Sequence, residues 1–242
     1  MKKFKTIVCN DLSFMFTIKR MLLVIVIYIF LNFINEGLYR VKSINELIKY
    51  SFYGTKNLID IPIELIMWTF CQMILLYFIL SFVNFEIKER ERLVILRISS
   101  RAVWFNGIIV SAFICCVLYY AAGFVTLIVL NINLVSCGID CAYLLKVFIL
   151  MVLSSFSISL LGIVFTAFIK SEAVTFTILL FLYYLSISID SRLGKYIIFN
   201  QGVLAKHYVF EFGFSFSYIY TVLFSLVLYF IIKNVFLRRD IF

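Results

Sequence analysis

The sequence predicts an all-α integral membrane protein with six transmembrane helices, and three observations predict this class. Of the 242 residues, 64% are hydrophobic and 14% are charged, whereas in a soluble domain about half are apolar and about a quarter charged. The apolar residues form blocks of about twenty, long enough to cross about 30 Å of hydrocarbon as a helix. The only proline, Pro62, precedes the second block, so the blocks lack the residue that most strongly breaks helices.

An amphipathic segment, residues 1–20, opens the chain. Its apolar residues, such as Val8, Leu12 and Met15, recur at three- or four-residue intervals between polar ones. This spacing places them on one stripe of a helix, and such a helix can lie in the membrane interface. We therefore predict an N-terminal interfacial helix, with an extended tail as the alternative.

Six apolar blocks follow and predict the spans. Their ranges are 21–38, 63–85, 103–131, 144–169, 173–189 and 217–236. The first block needs flanking residues to reach the length of a span, and the fifth is short. Because no Pro-, Gly- or Ser-rich linker and no internal repeat divides the chain, residues 1–242 are expected to form a single domain.

The basic residues predict the orientation. With both termini in the cytoplasm, 14 of the 22 Lys and Arg residues lie in inner segments, as the positive-inside rule favours. These residues cluster at block ends and form no stripe interleaved with aromatic residues, so the net charge of +9 indicates lipid headgroups and no nucleic acid. We expect a multi-pass protein of the cell membrane with both termini in the cytoplasm.

The most informative segment joins the second and third blocks and reads FEIKERERLVILRISSRAVW, residues 85–104. Its first half is charged and its second half is apolar, and Ser99 or Ser100 can cap the third span. This pattern predicts a short cytoplasmic helix. Such a helix could pass force from a soluble partner to the spans, or it could simply anchor the chain by its charge; spacing alone leaves both open.

The order of these segments resembles the permease subunits of type-2 ABC exporters. An interfacial segment, two spans, a Glu/Arg-rich helix ending in Ile98-Ser99-Ser100-Arg101 and a third span follow one another. Further along, a tight inner turn at residues 170–172 joins the fourth and fifth spans, and residues 190–216 match short outer re-entrant helices before the last span. The resemblance covers nearly the whole chain, although the family's usual proline before the Ser-Arg pair is absent.

This resemblance implies a coupling role for the charged helix. The residues expected to contact the ATPase are Glu89, Glu91, Arg92, Arg97 and Arg101. The chain lacks the G-x-x-x-x-G-K-[ST] loop that cradles phosphate, so ATP and Mg are expected on a partner and no cofactor on this chain. By analogy with the family, two ATPase subunits and a second permease, identical or homologous, complete the transporter, with a peptide or other amphipathic cargo.

The fourth block carries a face of small residues. Ser155, Ser159, Gly162 and Thr166 recur at i, i+4, i+7 and i+11, and small residues let helix backbones approach closely in lipid. Packing within the chain is the default interpretation. A dimer seam and a translocation path are the alternatives.

Two other classes of protein remain as alternatives to an exporter. An intramembrane enzyme would need a nucleophile with a base, or a metal cluster, whereas His207 is the only histidine and no H-E-x-x-H motif occurs. A membrane-anchored structural or sensory subunit could use the same charged helix to bind a partner. Trp68 and Trp104, near block ends, are interpreted as interfacial anchors, and Cys137 and Cys141 as either an oxidised pair or two small apolar residues.

Overall fold

The computed structural model describes residues 2–39, 41–55, 62–90, 100–135, 138–189 and 192–238. Within these ranges the regular structure is helical and contains no strand. The helices are α1 (Lys2–Met15), α2 (Ile18–Tyr39), α3 (Ile44–Ser51), α4 (Pro62–Phe85), α5 (Arg101–Leu130), α6 (Ile132–Val135), α7 (Cys141–Ile169), α8 (Glu172–Ser188), α9 (Ile198–Gln201), α10 (Leu204–Val209) and α11 (Phe214–Arg238). A π-helical turn (Glu86–Arg90) extends α4, and a 3₁₀ turn (Arg192–Tyr196) precedes α9.

In the part of the chain that the structure describes, five helices are long and apolar enough to cross a membrane. They are Ile18–Tyr39, Ile63–Arg90, Arg101–Leu130, Cys141–Ile169 and Phe214–Phe236. Each begins and ends within a few residues of a predicted block, except that the second continues through the π-helical turn to Arg90. The helix of the predicted fifth block, α8, has 17 residues and is about 25 Å long at 1.5 Å per residue.

Short polar side chains fix where the long helices begin. Ser100 caps α5 by accepting a hydrogen bond from the Val103 amide at 3.4 Å, and Asp140 caps α7 by accepting one from Tyr143 at 3.0 Å. These bonds satisfy backbone donors that have no partner within the helix. The turn between α7 and α8 is tight because Lys170, at φ 56°, ends one helix just before Ser171 caps the next.

Helix α7 lies at the centre of the bundle. It packs against α4, α5, α8 and α11, while α1 packs mainly along α5. The buried side chains form one continuous core, and large apolar residues on α2 and α11, such as Leu22, Val26, Leu223 and Phe230, remain exposed. An apolar core inside an apolar exterior is the arrangement expected of helices that face lipid.

The ends of the helices meet in two layers. At the α1 end, Asn84 of α4 donates to Glu172 of α8 at 3.5 Å, and the ring of Trp104 on α5 lies 5.6 Å from that of Phe236 on α11. Phe14 of α1 stacks on Phe85, the last residue of α4. The N-terminal helix and the C-terminal end of α11 therefore lie at the same end of the bundle.

At the opposite end, here called the α3 end, Asn131 donates to Asn32 at 2.6 Å. The short helices α9 and α10 close this end, since the Ala205 amide donates to the Tyr53 carbonyl at 2.8 Å. Asn200 and Gln201, polar residues of α9, are fully buried there. Helix α8 reaches from Glu172 at the α1 end to Ile187, whose carbonyl accepts a bond from Lys206 Nζ at 3.0 Å.

Candidate functional site

A buried charged network lies at the α1 end of the bundle. Asp11 of α1 and Glu86 at the end of α4 are each 1% exposed, and Arg90 pairs with both. Arg90 Nη1 lies 3.5 Å from Asp11 Oδ1 and also forms an ion pair with Glu86 Oε1. Carboxylates are almost never fully buried unless they are paired, so Arg90 is the partner that allows two acids to be buried at the end of α4.

Two neutral donors from α5 complete the network. Trp104 Nε1 donates to Glu86 Oε2 at 3.1 Å, and Ser111 Oγ donates to Asp11 Oδ2 at 3.1 Å. Hydrogen bonds to ionised groups are stronger than those between neutral groups. The network therefore links α1, α4 and α5 at the point where the chain leaves α4 toward the charged connection.

The electrostatics of Asp11 follow from its surroundings. Burial, followed by the nearby charge of Glu86, raises the pKa of Asp11 from 3.8 to about 7, while the hydrogen bond from Ser111 and the charge of Arg90 oppose this rise. Removing a carboxylate from water disfavours its charged form, and a like charge disfavours it further. Asp11 is thus a group that changes charge near neutral pH.

Aromatic packing and Arg20 hold α1 against the same corner. The rings of Phe14 and Phe85 stack with centroids 4.7 Å apart. Arg20 Nη1 donates to the Phe14 carbonyl at 3.1 Å, and its guanidinium lies 5.1 Å from the ring centroid of Phe78. The guanidinium thus satisfies a carbonyl at the end of α1 while making cation–π contacts, so α1 is fixed to α4 by both apolar and charged groups.

Two of the predicted ATPase contacts, Glu89 and Arg101, lie close in sequence to members of this network. Glu89 is exposed in the π-helical turn, and Arg101 is the half-buried first residue of α5. Glu91, Arg92 and Arg97 lie outside the residues that the structure describes, as does Cys137. In the sequence, Glu89 precedes and Arg101 follows the segment that carries the other three predicted contacts.

The buried members of the network were not predicted from the sequence. Trp104, interpreted as an interfacial anchor, is 1% exposed and is bonded to Glu86, so that interpretation is wrong. Asp11 did carry a signal, because Val8, Asp11 and Met15 form the buried stripe of α1. An acid on the apolar stripe of a helix indicates a partner inside the fold.

No protein-family model matches the sequence. No curated protein is significantly similar to it.

The small face of α7 lies against two helices of the same chain. A β-carbon at Gly162 would lie 2.7 Å from Leu80 of α4 and 3.1 Å from Leu179 of α8. Ser159 and Thr166 donate to carbonyls four residues earlier in α7. The close packing of α7 against α4 and α8 therefore depends on a glycine at position 162.

Ser155, the first member of that face, belongs to a polar triangle in the middle of the bundle. Gln72 Nε2 donates to Tyr120 OH at 2.8 Å, Tyr120 and Ser155 hydroxyls are 2.7 Å apart, and Ser155 Oγ donates to Gln72 Oε1 at 2.9 Å. All three residues are buried. Polar groups that satisfy one another in this way can be buried at little cost.

Proposed function

We propose that this chain is the membrane subunit of an ATP-driven exporter, on which a separate cytoplasmic ATPase acts through the connection between α4 and α5. The observation that carries this proposal is the network of Asp11, Glu86, Arg90 and Trp104. It anchors both ends of that connection, since residues 86–90 lead into it and α5 begins immediately after it.

Force applied to the connection would be delivered to three helices at once. A displacement of Arg90 strains its pairs with Asp11 on α1 and Glu86 on α4, and Glu86 is held in turn by Trp104 on α5. Moving Arg90 away would leave the buried carboxylate of Glu86 without its counter-charge, and an uncompensated buried charge is strongly unfavourable. Movement of the three helices as a unit is therefore favoured over local loosening.

The remaining features of the proposal concern topology and assembly. Six passes are supported by the course of α8, which runs between the two ends of the bundle although it is only about 25 Å long. The α1 end is assigned to the cytoplasm by the distribution of basic residues. The resemblance to type-2 permeases supports two ATPase subunits, a second permease, and a peptide or other amphipathic cargo.

The test uses a complex of this chain with its partner ABC ATPase, reconstituted in lipid vesicles. Glu89→Lys reverses an exposed charge at the predicted contact. Its matched control is Glu211→Lys, the same change at an exposed residue near the α3 end. We expect the first variant to lower the ATPase rate of the complex severalfold and the second to leave it unchanged.

Equal ATPase rates in the two variants would contradict a contact at Glu89. Uptake of a labelled amphipathic peptide into inverted vesicles in the presence of ATP separates an exporter from a subunit that only binds a partner. If ATP hydrolysis is normal and no tested peptide moves in any orientation of the vesicles, the proposed cargo class is wrong.

A further inference from the structure

Helix α4 carries a polar face that leads from the α3 end toward the middle of the bundle. Glu64, Trp68 and Gln72 follow one another at four-residue intervals, so they lie on one side of the helix, about 6 Å apart along its axis. Glu64 is partly exposed near the start of α4, whereas Trp68 and Gln72 are buried. Gln72 belongs to the polar triangle with Tyr120 and Ser155.

Two small cavities lie along this face, and Trp68 lines both. The cavity nearer the α3 end has a volume of about 20 Å³ and includes Asn35, Ser51 and Glu64 in its lining. The deeper one has a volume of about 10 Å³ and includes Gln72 and Ser154. A cavity needs about 10–15 Å³ of such volume and several polar neighbours to hold one water molecule, and each cavity approaches or meets that size.

The Trp68 indole is a buried donor without an acceptor in the part of the chain that the structure describes. Trp68 is 4% exposed, and its Nε1 has no hydrogen-bond partner among the described residues. The only other tryptophan, Trp104, donates to Glu86. An indole N–H is a donor only, and an unpaired buried donor bears the full cost of its desolvation. An acceptor in one of the two cavities that Trp68 lines would remove this cost.

We propose that the two cavities around Trp68 are a binding site for water and that they hydrate the bundle from the α3 end down to the polar triangle. Water fits the cavity volumes and can accept a bond from the indole while donating to carboxylate, amide or hydroxyl oxygens. The occupants form a short polar route about 12 Å long, from Glu64 to Gln72. This inference concerns water access alone and does not depend on the exporter proposal.

Closure of the route depends on the short helices at the α3 end. A β-carbon at Gly202 would lie 2.5 Å from Ser154 Oγ, so the segment between α9 and α10 sits directly against the deeper cavity. Gly54, at φ 70°, lies close to Val203: a β-carbon added at Gly54 would be 2.7 Å from Val203 Cγ1. Bulk solvent is thereby kept away from the deeper cavity, and water enters past Glu64 and Trp68.

The test exploits the presence of only two tryptophans. In protein labelled with ¹⁵N-tryptophan and held in detergent micelles, each indole N–H gives one NMR signal, assigned by Trp68→Phe and Trp104→Phe. We expect the Trp68 indole to exchange hydrogen with water at least about tenfold faster than the Trp104 indole. We also expect a direct cross-peak between the Trp68 indole and water.

A conservative substitution then tests the route. Ser51→Thr keeps the hydroxyl that accepts a bond from Asn35 Nδ2 at 2.9 Å and adds one methyl group to the lining of the cavity nearer the α3 end. We expect severalfold slower exchange at Trp68, whereas Ser188→Thr, on the exposed end of α8, should have no effect. Exchange at Trp68 as slow as at Trp104 overturns the water site, and fast exchange that Ser51→Thr does not alter overturns the route from the α3 end.

Discussion

The pKa of Asp11 predicts how the stability of the protein depends on pH. Burial raises this pKa from 3.8 to about 7. Between these values the folded protein retains a proton that the unfolded chain has released, so the free energy of unfolding falls as the pH rises from about 4 to about 7. Below this window both states are protonated, and above it the full cost of the buried charge is present.

The size of the effect follows from the shift. About three pH units at about 1.4 kcal/mol each correspond to about 4 kcal/mol of stability lost across the window. Asp11→Asn removes the titrating proton while keeping an oxygen that can accept the bond from Ser111. The variant should resemble the wild type near pH 5 and be the more stable of the two near pH 8, because its neutral amide avoids the burial of a charge.

The assay is unfolding by SDS in mixed micelles, followed by far-UV circular dichroism at several pH values. Asp140→Asn is the matched control: Asp140 is exposed, and Asn caps a helix as well as Asp does, so the wild-type slope should persist. Identical pH slopes for wild type and Asp11→Asn would refute the buried position of Asp11.

Two further substitutions test packing and the network in the same unfolding assay. Gly123→Ala should destabilise the protein by about 1–3 kcal/mol, because the added β-carbon would lie 2.2 Å from Tyr28 Cζ and would overpack the contact between α5 and α2. The control, Gly37→Ala, has open space around it and should stabilise the protein by up to about 1 kcal/mol. Equal effects of the two substitutions would speak against the contact between α5 and α2. Trp104→Phe removes the donor to Glu86 and should cost about 1.5–3 kcal/mol. A double-mutant cycle with Glu86→Gln should then show coupling of at least about 0.5 kcal/mol, and strictly additive changes would contradict the bond.

Helix positions were predictable because their causes are local. Apolar blocks long enough to span a membrane become helices, since no other partner for their backbone groups is available in lipid. The capping residues also lie beside the helices that they begin, as Ser100 shows. The end of α4 was less predictable: the charged residues after Phe85 suggest a new element, but Arg90 pairs with Glu86 one turn earlier and the helix continues.

The candidate site could be predicted only in part. Glu89 and Arg101 were selected for their charge and lie within three residues of a network member in sequence. The central acid Glu86 received no role, because a sequence does not show which of several neighbouring acids will be buried. Its partner Trp104 carries an ordinary signature of the membrane interface, so only the packing of α5 against α4 reveals it as a donor.

The sequence by itself determined that this is a helical chain with membrane-length helices, because composition and block length depend on the solvent that each segment can tolerate. Only the tertiary structure decided which polar residues meet. Ser111 binds Asp11 across 100 residues of sequence, and Ser155 binds Gln72 across 83. Such pairs form because helix packing brings buried polar groups to the same depth, where each must find a partner.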